Sequence, residues 1–276
     1  MQTPNSDTHS TGIVYKKMLG HYDVHHHNQI TTCSLSAKLW KDLETSKRPG
    51  DHGQRVTRVS EKHMDPIAIG DRVQFKIADD DSGMILEVLP RKNYIARSSA
   101  KPMPGSYAFE QVIAANIDQV IPVFAAADPE PKWHMLDRYL VTAESYGIPS
   151  VVVITKFDLV KGSHAEDELK SWIDLYRTIG YPVIVTSAKA CEGLGELHQI
   201  LAEHHSVLVG KSGVGKTSLL NALEPGLGLR VKTVNQSTGK GRHTTSHLEM
   251  FPLQAGGALI DTPGVREFGI WGLDSS

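Results

Sequence analysis

Cysteine is scarce in this chain: Cys33 and Cys191 are the two thiols among 276 residues. Two cysteines build no disulfide framework, and they fall short of the three or four thiolates of a common structural zinc site. Long apolar runs are missing as well. No stretch approaches the roughly 18 apolar residues of a membrane-spanning helix, and the opening MQTPNSDTHSTG lacks the apolar core of a secretory signal. Charge of one sign is also wanting, with 29 Lys and Arg against 31 Asp and Glu. No overall cationic field therefore advertises a nucleic-acid partner, and any RNA contact needs a local patch. What is present is ordinary for a folded protein: 40% apolar and 22% charged residues, neither disordered nor fibrous. The length predicts about two domains. The expectation is a soluble cytoplasmic monomer with no membrane partner.

The pattern changes along the chain. Residues 1–10 read as a frayed tail. Over 11–97 the segments 12–18, 29–37, 71–77 and 83–89 read as short strands, and Val73, Phe75 and Ile77 alternate with polar residues at the strand period. Turn signals such as Pro49-Gly50 and Ile69-Gly70-Asp71 separate them. Short strands without a long helix predict an all-β, OB-like barrel. Residues 98–110, SSAKPMPGSYAFE, read as a linker. From 111 to 276 strands alternate with helices. Strands are expected at 117–127, 151–154, 183–185, 207–209, near 246–253 and at 257–260. Helices are expected at 135–146, around 169–179, at 194–201 and at 216–223. That grammar predicts an α/β domain with a mostly parallel sheet covered on both faces.

The strongest motif is Gly210-Lys211-Ser212-Gly213-Val214-Gly215-Lys216-Thr217, with Ser218 behind it. It fits the phosphate loop G-x-x-x-x-G-K-[ST], set between a strand and a helix. The glycines let backbone N–H groups turn toward a β-phosphate, and the helix N-terminus adds partial positive charge. Lys216 is expected on the β- and γ-phosphates and Thr217 on Mg²⁺. Asp261-Thr262-Pro263-Gly264 ends a later apolar strand, where Asp261 would serve Mg²⁺ and the Gly264 N–H the γ-phosphate. Between them, Gly239–Thr245 is a glycine-rich polar loop in which Thr244 or Thr245 would ligate the metal.

Thr155-Lys156-Phe157-Asp158 follows the strand at 151–154. It matches the guanine-reading Asn-Lys-x-Asp apart from Thr155. Asp158 would accept hydrogen bonds from guanine N1–H and the exocyclic amine, an edge that adenine reverses. Thr155 in place of Asn is expected to weaken both base contacts and the tie to the phosphate loop. Ser187-Ala188-Lys189 reads as the second base loop, with the Ala188 N–H on guanine O6. These base motifs precede the phosphate loop, the reverse of the usual order. A circular permutation explains this, with the six strands of the usual sheet lying between residues 117 and 260.

With these motifs the chain resembles the ribosome small subunit-dependent GTPase A family. Further marks are Leu89-Pro90-Arg91-Lys92-Asn93, Ala115-Asn116-Ile117-Asp118-Gln119, Asp137-Arg138-Tyr139-Leu140, Gly241-Arg242-His243-Thr244-Thr245 and the run from Asp261 to Gly269. The resemblance implies a cytoplasmic enzyme that hydrolyses GTP to GDP, binds the 30S subunit and its 16S rRNA late in maturation, and is stimulated by that subunit. It also implies a C-terminal zinc module with three Cys and one His, whose ligands this chain does not carry. The run His25-His26-His27 is read as a hydrated barrel turn, not a replacement.

Val265 stands where a water-orienting glutamine follows D-x-x-G in Ras-like enzymes. His243 is the candidate to replace it, and the resemblance agrees. The first hundred residues hold 14 Lys and Arg against 12 Asp and Glu. Arg91 and Lys92, with Arg55, Arg58, Lys62 and Arg97, are the candidate RNA-facing residues. The alternative is a GTP-regulated rRNA-binding module with negligible turnover.

Overall fold

The computed structural model describes residues 9–27, 29–45, 67–78, 80–98, 110–227 and 249–261. His243, Thr244, Thr245, Gly264 and Val265 lie outside the described residues, as do Arg55, Arg58, Lys62 and the side chain of Arg97.

The first half is a barrel. Its strands are β1 (Ser10–Met18), β2 (His21–His26), β3 (Gln29–Leu35), β4 (Arg72–Ile77) and β5 (Gly83–Val88), with helix α1 (Ala37–Thr45) between β3 and β4. They run in the order β1-β2-β3-β5-β4, and β4 returns to β1 to close the ring. Closure satisfies backbone groups that an open edge would leave bare. β3 and β5 are parallel, which requires a crossover; α1 and β4 lie within it. Val14, Tyr22, Val24, Cys33, Phe75 and Ile85 fill the interior.

The OB-like expectation holds, with three differences. The helix α1 was not expected, and Ile77 is exposed where alternation grouped it with the buried Val73 and Phe75. The histidine run is not a surface turn: His25 and His26 belong to β2, which points Tyr22, Val24 and His26 inward. His26 is buried, with Nε2 3.0 Å from Thr31 Oγ1 and its ring edge-on to Phe75. Polar residue types concealed the strand's period.

β6 (Tyr94–Ser98) and β7 (Glu110–Ala115) pair antiparallel, with Ser98 opposite Glu110. Residues 99–109 of the expected linker lie outside the described residues. A bridge between Ile69 and Ala114 fastens this ladder to the barrel. Asn93 and Asn116 lock it further. Ile117 N donates to Asn93 Oδ1 at 2.8 Å, and Asn116 Nδ2 donates to the Gly70 carbonyl at 2.9 Å.

The second half alternates as the pattern predicts: β8 (Gln119–Ala125), α2 (Trp133–Ser145), β9 (Val152–Thr155), α3 (His164–Ile179), β10 (Val183–Val185), α4 (Leu194–Leu201), β11 (His205–Val209), α5 (Lys216–Leu223), β12 (Glu249–Pro252) and β13 (Ala258–Asp261). The sheet order is β10-β9-β8-β11-β13-β12, parallel except for β12. β8 is buried on both faces because helices cover both. Val120 and Phe124 pack toward α2 and α3 with Leu136, Tyr139, Leu169 and Ile173. Ile121 and Val123 face α4 and α5 with Leu197, Leu201, Leu219 and Leu220. Each such side chain contributes about 1.5–3 kcal/mol on burial. β12 also meets β1 of the barrel, making one continuous eleven-stranded sheet. Among the described residues no helix is long and apolar enough to cross a membrane.

Candidate nucleotide site

The parallel strands end together, so their following loops form one rim, the usual ligand-binding edge of an open α/β sheet. Three of those loops carry the predicted residues.

The phosphate loop joins β11 to α5. Gly210 has φ 153°, and a Cβ there would lie 2.4 Å from the Val123 carbonyl oxygen, so no side chain fits between loop and strand. Gly215, at φ 95°, caps α5 in the left-handed region. Val214 is buried and anchors the loop in the apolar layer under α5, while Lys211, Ser212, Thr217 and Ser218 stay solvent-accessible. Lys216 Nζ donates to the carbonyls of Gly210 at 2.6 Å and Lys211 at 3.0 Å, folded across the loop. Burial lowers the Lys216 pKa, and the charge of Asp261 opposes that shift. Asp261 is the last residue of β13 and registers with Leu208 of β11, two residues before the loop. Asp261 thus stands beside the start of the loop, on the neighbouring strand.

Asp261 and Thr217 are hard oxygen donors, and Mg²⁺ takes few protein ligands beside phosphate and water. Their donor chemistry suits that ion, with Asp261 ending β13 beside β11 and Thr217 in the first turn of α5 behind the loop. Among the described residues no three or more His, Cys, Asp or Glu gather into a metal cluster. Cys33 is buried and Cys191 exposed, and both are free thiols.

The base loops follow β9 and β10. Asp158 lies in a single 3₁₀ turn, Phe157–Leu159. Its Oδ1 accepts from Ser187 Oγ at 2.6 Å, across 29 residues of sequence. Ser187 is fully buried, and its Oγ accepts from Ala190 N at 3.0 Å. A two-way backbone pair between Ser187 and Glu192, 3.0 Å each way, closes this loop. It leaves Ala188 half-buried and Lys189 exposed. Lys156 sits at φ 56° and its Nζ donates to the Asp128 carbonyl. The Phe157 N–H donates to the Thr186 carbonyl at 3.2 Å. The sequence pattern missed Asp128, which no motif marks.

Thr155 makes a tie of its own. Its Oγ1 is buried against the carbonyls of Val214 in the phosphate loop and Phe124 on β8. One hydroxyl proton serves one carbonyl at a time. The tie to the phosphate loop, expected to weaken without Asn, is therefore made by the shorter side chain.

Arg91 is tied as well. Its guanidinium grips the fully buried Asp71 with Nε to Oδ1 and Nη2 to Oδ2, both 2.7 Å, and Ala68 N donates to the same carboxylate. The pair buries the Asp71 carboxylate completely and leaves the Arg91 side chain about a quarter exposed, so the Arg91 charge is engaged with Asp71. Asp71 itself had read as a turn residue opening the strand 71–77, with no partner assigned. Lys92 is the more exposed of the two, with Nζ 3.3 Å from Asp118 Oδ1.

The RsgA GTPase family profile matches residues 88–271. A small ribosomal subunit biogenesis GTPase RsgA from Hahella chejuensis is 38% identical over 226 residues, covering 82% of this chain and 63% of that protein. One from Gemmatimonas aurantiaca is 44% identical over 213 residues, covering 76% and 66%. The chain thus spans about 60–66% of the length of such relatives. The crystal structure of YjeQ from Thermotoga maritima superposes with a TM-score of 0.68 at 31% identity, covering 95% of this chain and 77% of that one. YloQ, a circularly permuted GTPase, gives 0.62 at 25% identity, covering 98% and 76%. Barrel, permuted motif order and matched profile agree, and the chain belongs to the RsgA GTPase family.

Proposed function

We propose that this chain binds GTP with Mg²⁺, hydrolyses it to GDP and phosphate, and acts on the small ribosomal subunit during its maturation in the cytoplasm. The observation that carries the reading is the junction of base and phosphate loops. Asp158 is held by Ser187, and Thr155 at the end of β9 bonds the phosphate loop at Val214. Base recognition and phosphate binding are thereby one hydrogen-bonded unit. The half-buried Asp158 carboxylate keeps acceptor capacity for a guanine edge while Ser187 fixes its rotamer.

In this reading the 210–215 amides and Lys216 hold the phosphates, and Lys216 exchanges its loop carbonyls for them. Thr217, Asp261 and one of Thr244 and Thr245 would hold Mg²⁺, which supplies charge neutralisation between the β- and γ-phosphates. Gly264 would donate its N–H to the γ-phosphate. His243 would orient the attacking water, since Val265 offers no polar group. A loop-borne group positioned by the ribosome gives slow turnover alone and faster turnover on the 30S subunit. Contact with 16S rRNA is assigned to the barrel, with Lys92 as its exposed cation among the described residues, and the chain is taken to act as a monomer.

The test is single-turnover hydrolysis of GTP with and without 30S subunits, for the native chain and Asp158→Asn. Stimulation by 30S is expected, and Asp158→Asn should weaken GTP binding by about 1–3 kcal/mol while favouring xanthosine triphosphate. Turnover that stays negligible with 30S would replace the enzyme by a GTP-regulated binding module. Unchanged GTP affinity in Asp158→Asn would remove Asp158 from the base site.

A further inference from the structure

β1 does two jobs. Its first half, from Ser10 to Ile13, closes the barrel against β4, and at Lys16 it registers with Glu249 of β12. A register shift between Val14 and Lys16 in the β1–β2 ladder lets both Val14 and Tyr15 point inward. Such a bulge re-aims the residue that follows. Lys16 Nζ accordingly lies 3.1 Å from Glu249 Oε1, with both side chains about one-third exposed. Glu249 in turn is the cross-strand partner of Asp261, the carboxylate at the phosphate loop.

Residues directly opposite on antiparallel strands share a face, with Cβ atoms about 4.5–5.5 Å apart, and like charges so placed repel. Glu249 and Asp261 are such a pair. Lys16 is the cation that neutralises the outer member. Lys16, Glu249 and Asp261 thus form one charge rung across β1, β12 and β13, from the barrel to the rim of the nucleotide site.

We propose that Lys16 is a positioning residue for the metal-side carboxylate: by neutralising Glu249, the barrel sets the charge that Asp261 presents to a divalent cation. The proposal rests on the assignment of Asp261 to Mg²⁺ above. Without Lys16, Glu249 adds an uncompensated negative charge beside Asp261. A divalent cation is then held more tightly, and metal-free GDP, an anion, more weakly.

The experiment uses the full chain with GDP and measures Mn²⁺ binding by electron paramagnetic resonance, together with GDP affinity in chelator. Lys16→Met should tighten Mn²⁺ on the order of three- to tenfold, as expected for one charge at this range in partly hydrated surroundings, and weaken metal-free GDP. Lys16→Arg should behave as the native chain. Glu249→Gln should do the opposite, weakening Mn²⁺ and strengthening metal-free GDP, because it leaves the Lys16 charge unopposed beside Asp261. Simple loosening of the strand edge would weaken Mn²⁺ instead, so the sign separates the two. Should Lys16→Met fold poorly, Lys16→Gln makes the same charge change. Unchanged or weakened Mn²⁺ binding in Lys16→Met, or tightened Mn²⁺ binding in Glu249→Gln, overturns the proposal. Asp261→Asn with native Mn²⁺ affinity would overturn the metal assignment beneath it.

Discussion

Replacing Arg91 by Met tests whether this residue holds the barrel together or serves RNA. Asp71 has no exposed surface, and three donors reach its carboxylate: Ala68 N and two nitrogens of Arg91. Removing Arg91 leaves a buried carboxylate with one of those three. Breaking one side of a buried pair costs about 3–5 kcal/mol, far more than the pair adds over an apolar substitute. Against a stability of about 5–15 kcal/mol, that loss is a large part of the whole. The melting temperature should fall on the order of 10 °C. Arg91→Lys should rescue little, because an ammonium cannot supply the two-pronged contact. Asp71→Asn with Arg91→Met should cost less than the sum of the singles, with a coupling of about 0.5–3 kcal/mol. Thermal and urea unfolding followed by circular dichroism measure all of this. GDP affinity, measured below the transition, should be native because the pair lies in the barrel. If Arg91→Met unfolds like the native chain but loses salt-sensitive RNA binding, the structural reading of Arg91 is refuted.

Thr155→Val keeps the shape but removes the hydroxyl on the Val214 carbonyl; GDP binding should weaken by about 1–2 kcal/mol, or roughly 5- to 30-fold, while Thr155→Ser should stay near native by titration calorimetry. Burial, with the nearby charge of Asp23, pushes the Cys33 thiol up to about 12. A thiol reagent at pH 8 should therefore label Cys191 in the native chain and both cysteines after denaturation; rapid native labelling of Cys33 would contradict its buried place. Burial would raise the Asp118 pKa, but the His205 N–H and Lys92 outweigh it, and the net shift is downward. A lowered carboxylate pKa stabilises the fold above the unfolded value and loses that contribution as pH falls through the folded one. Asp118→Asn should hence lower the melting temperature at pH 7 and make little difference near pH 2; equal losses at both would show that its charge is not what matters.

Much of the site could be read in advance because its parts are local. The eight residues from Gly210 to Thr217 carry the phosphate loop within one turn, and positive φ at Gly213 and Gly215 is a property of those positions. Strand and helix periods located all six strands of the second sheet, because burial on two faces leaves uninterrupted apolar runs such as β8. The permuted order was legible too, since it is an order in sequence. What the sequence could not reveal depends on which strands lie side by side. Thr155 meets Val214 across 59 residues, Asp158 meets Ser187 across 29, Arg91 meets Asp71 across 20, and Lys16 meets Glu249 across 233. A hydrogen bond acts over about 3 Å, so none of these pairings exists until the sheet has brought two strand ends together. For the same reason the Asp71 partner of Arg91 went unread and His26 read as surface: residue type records polarity, and only the packed barrel decides whether the partner is water or another side chain.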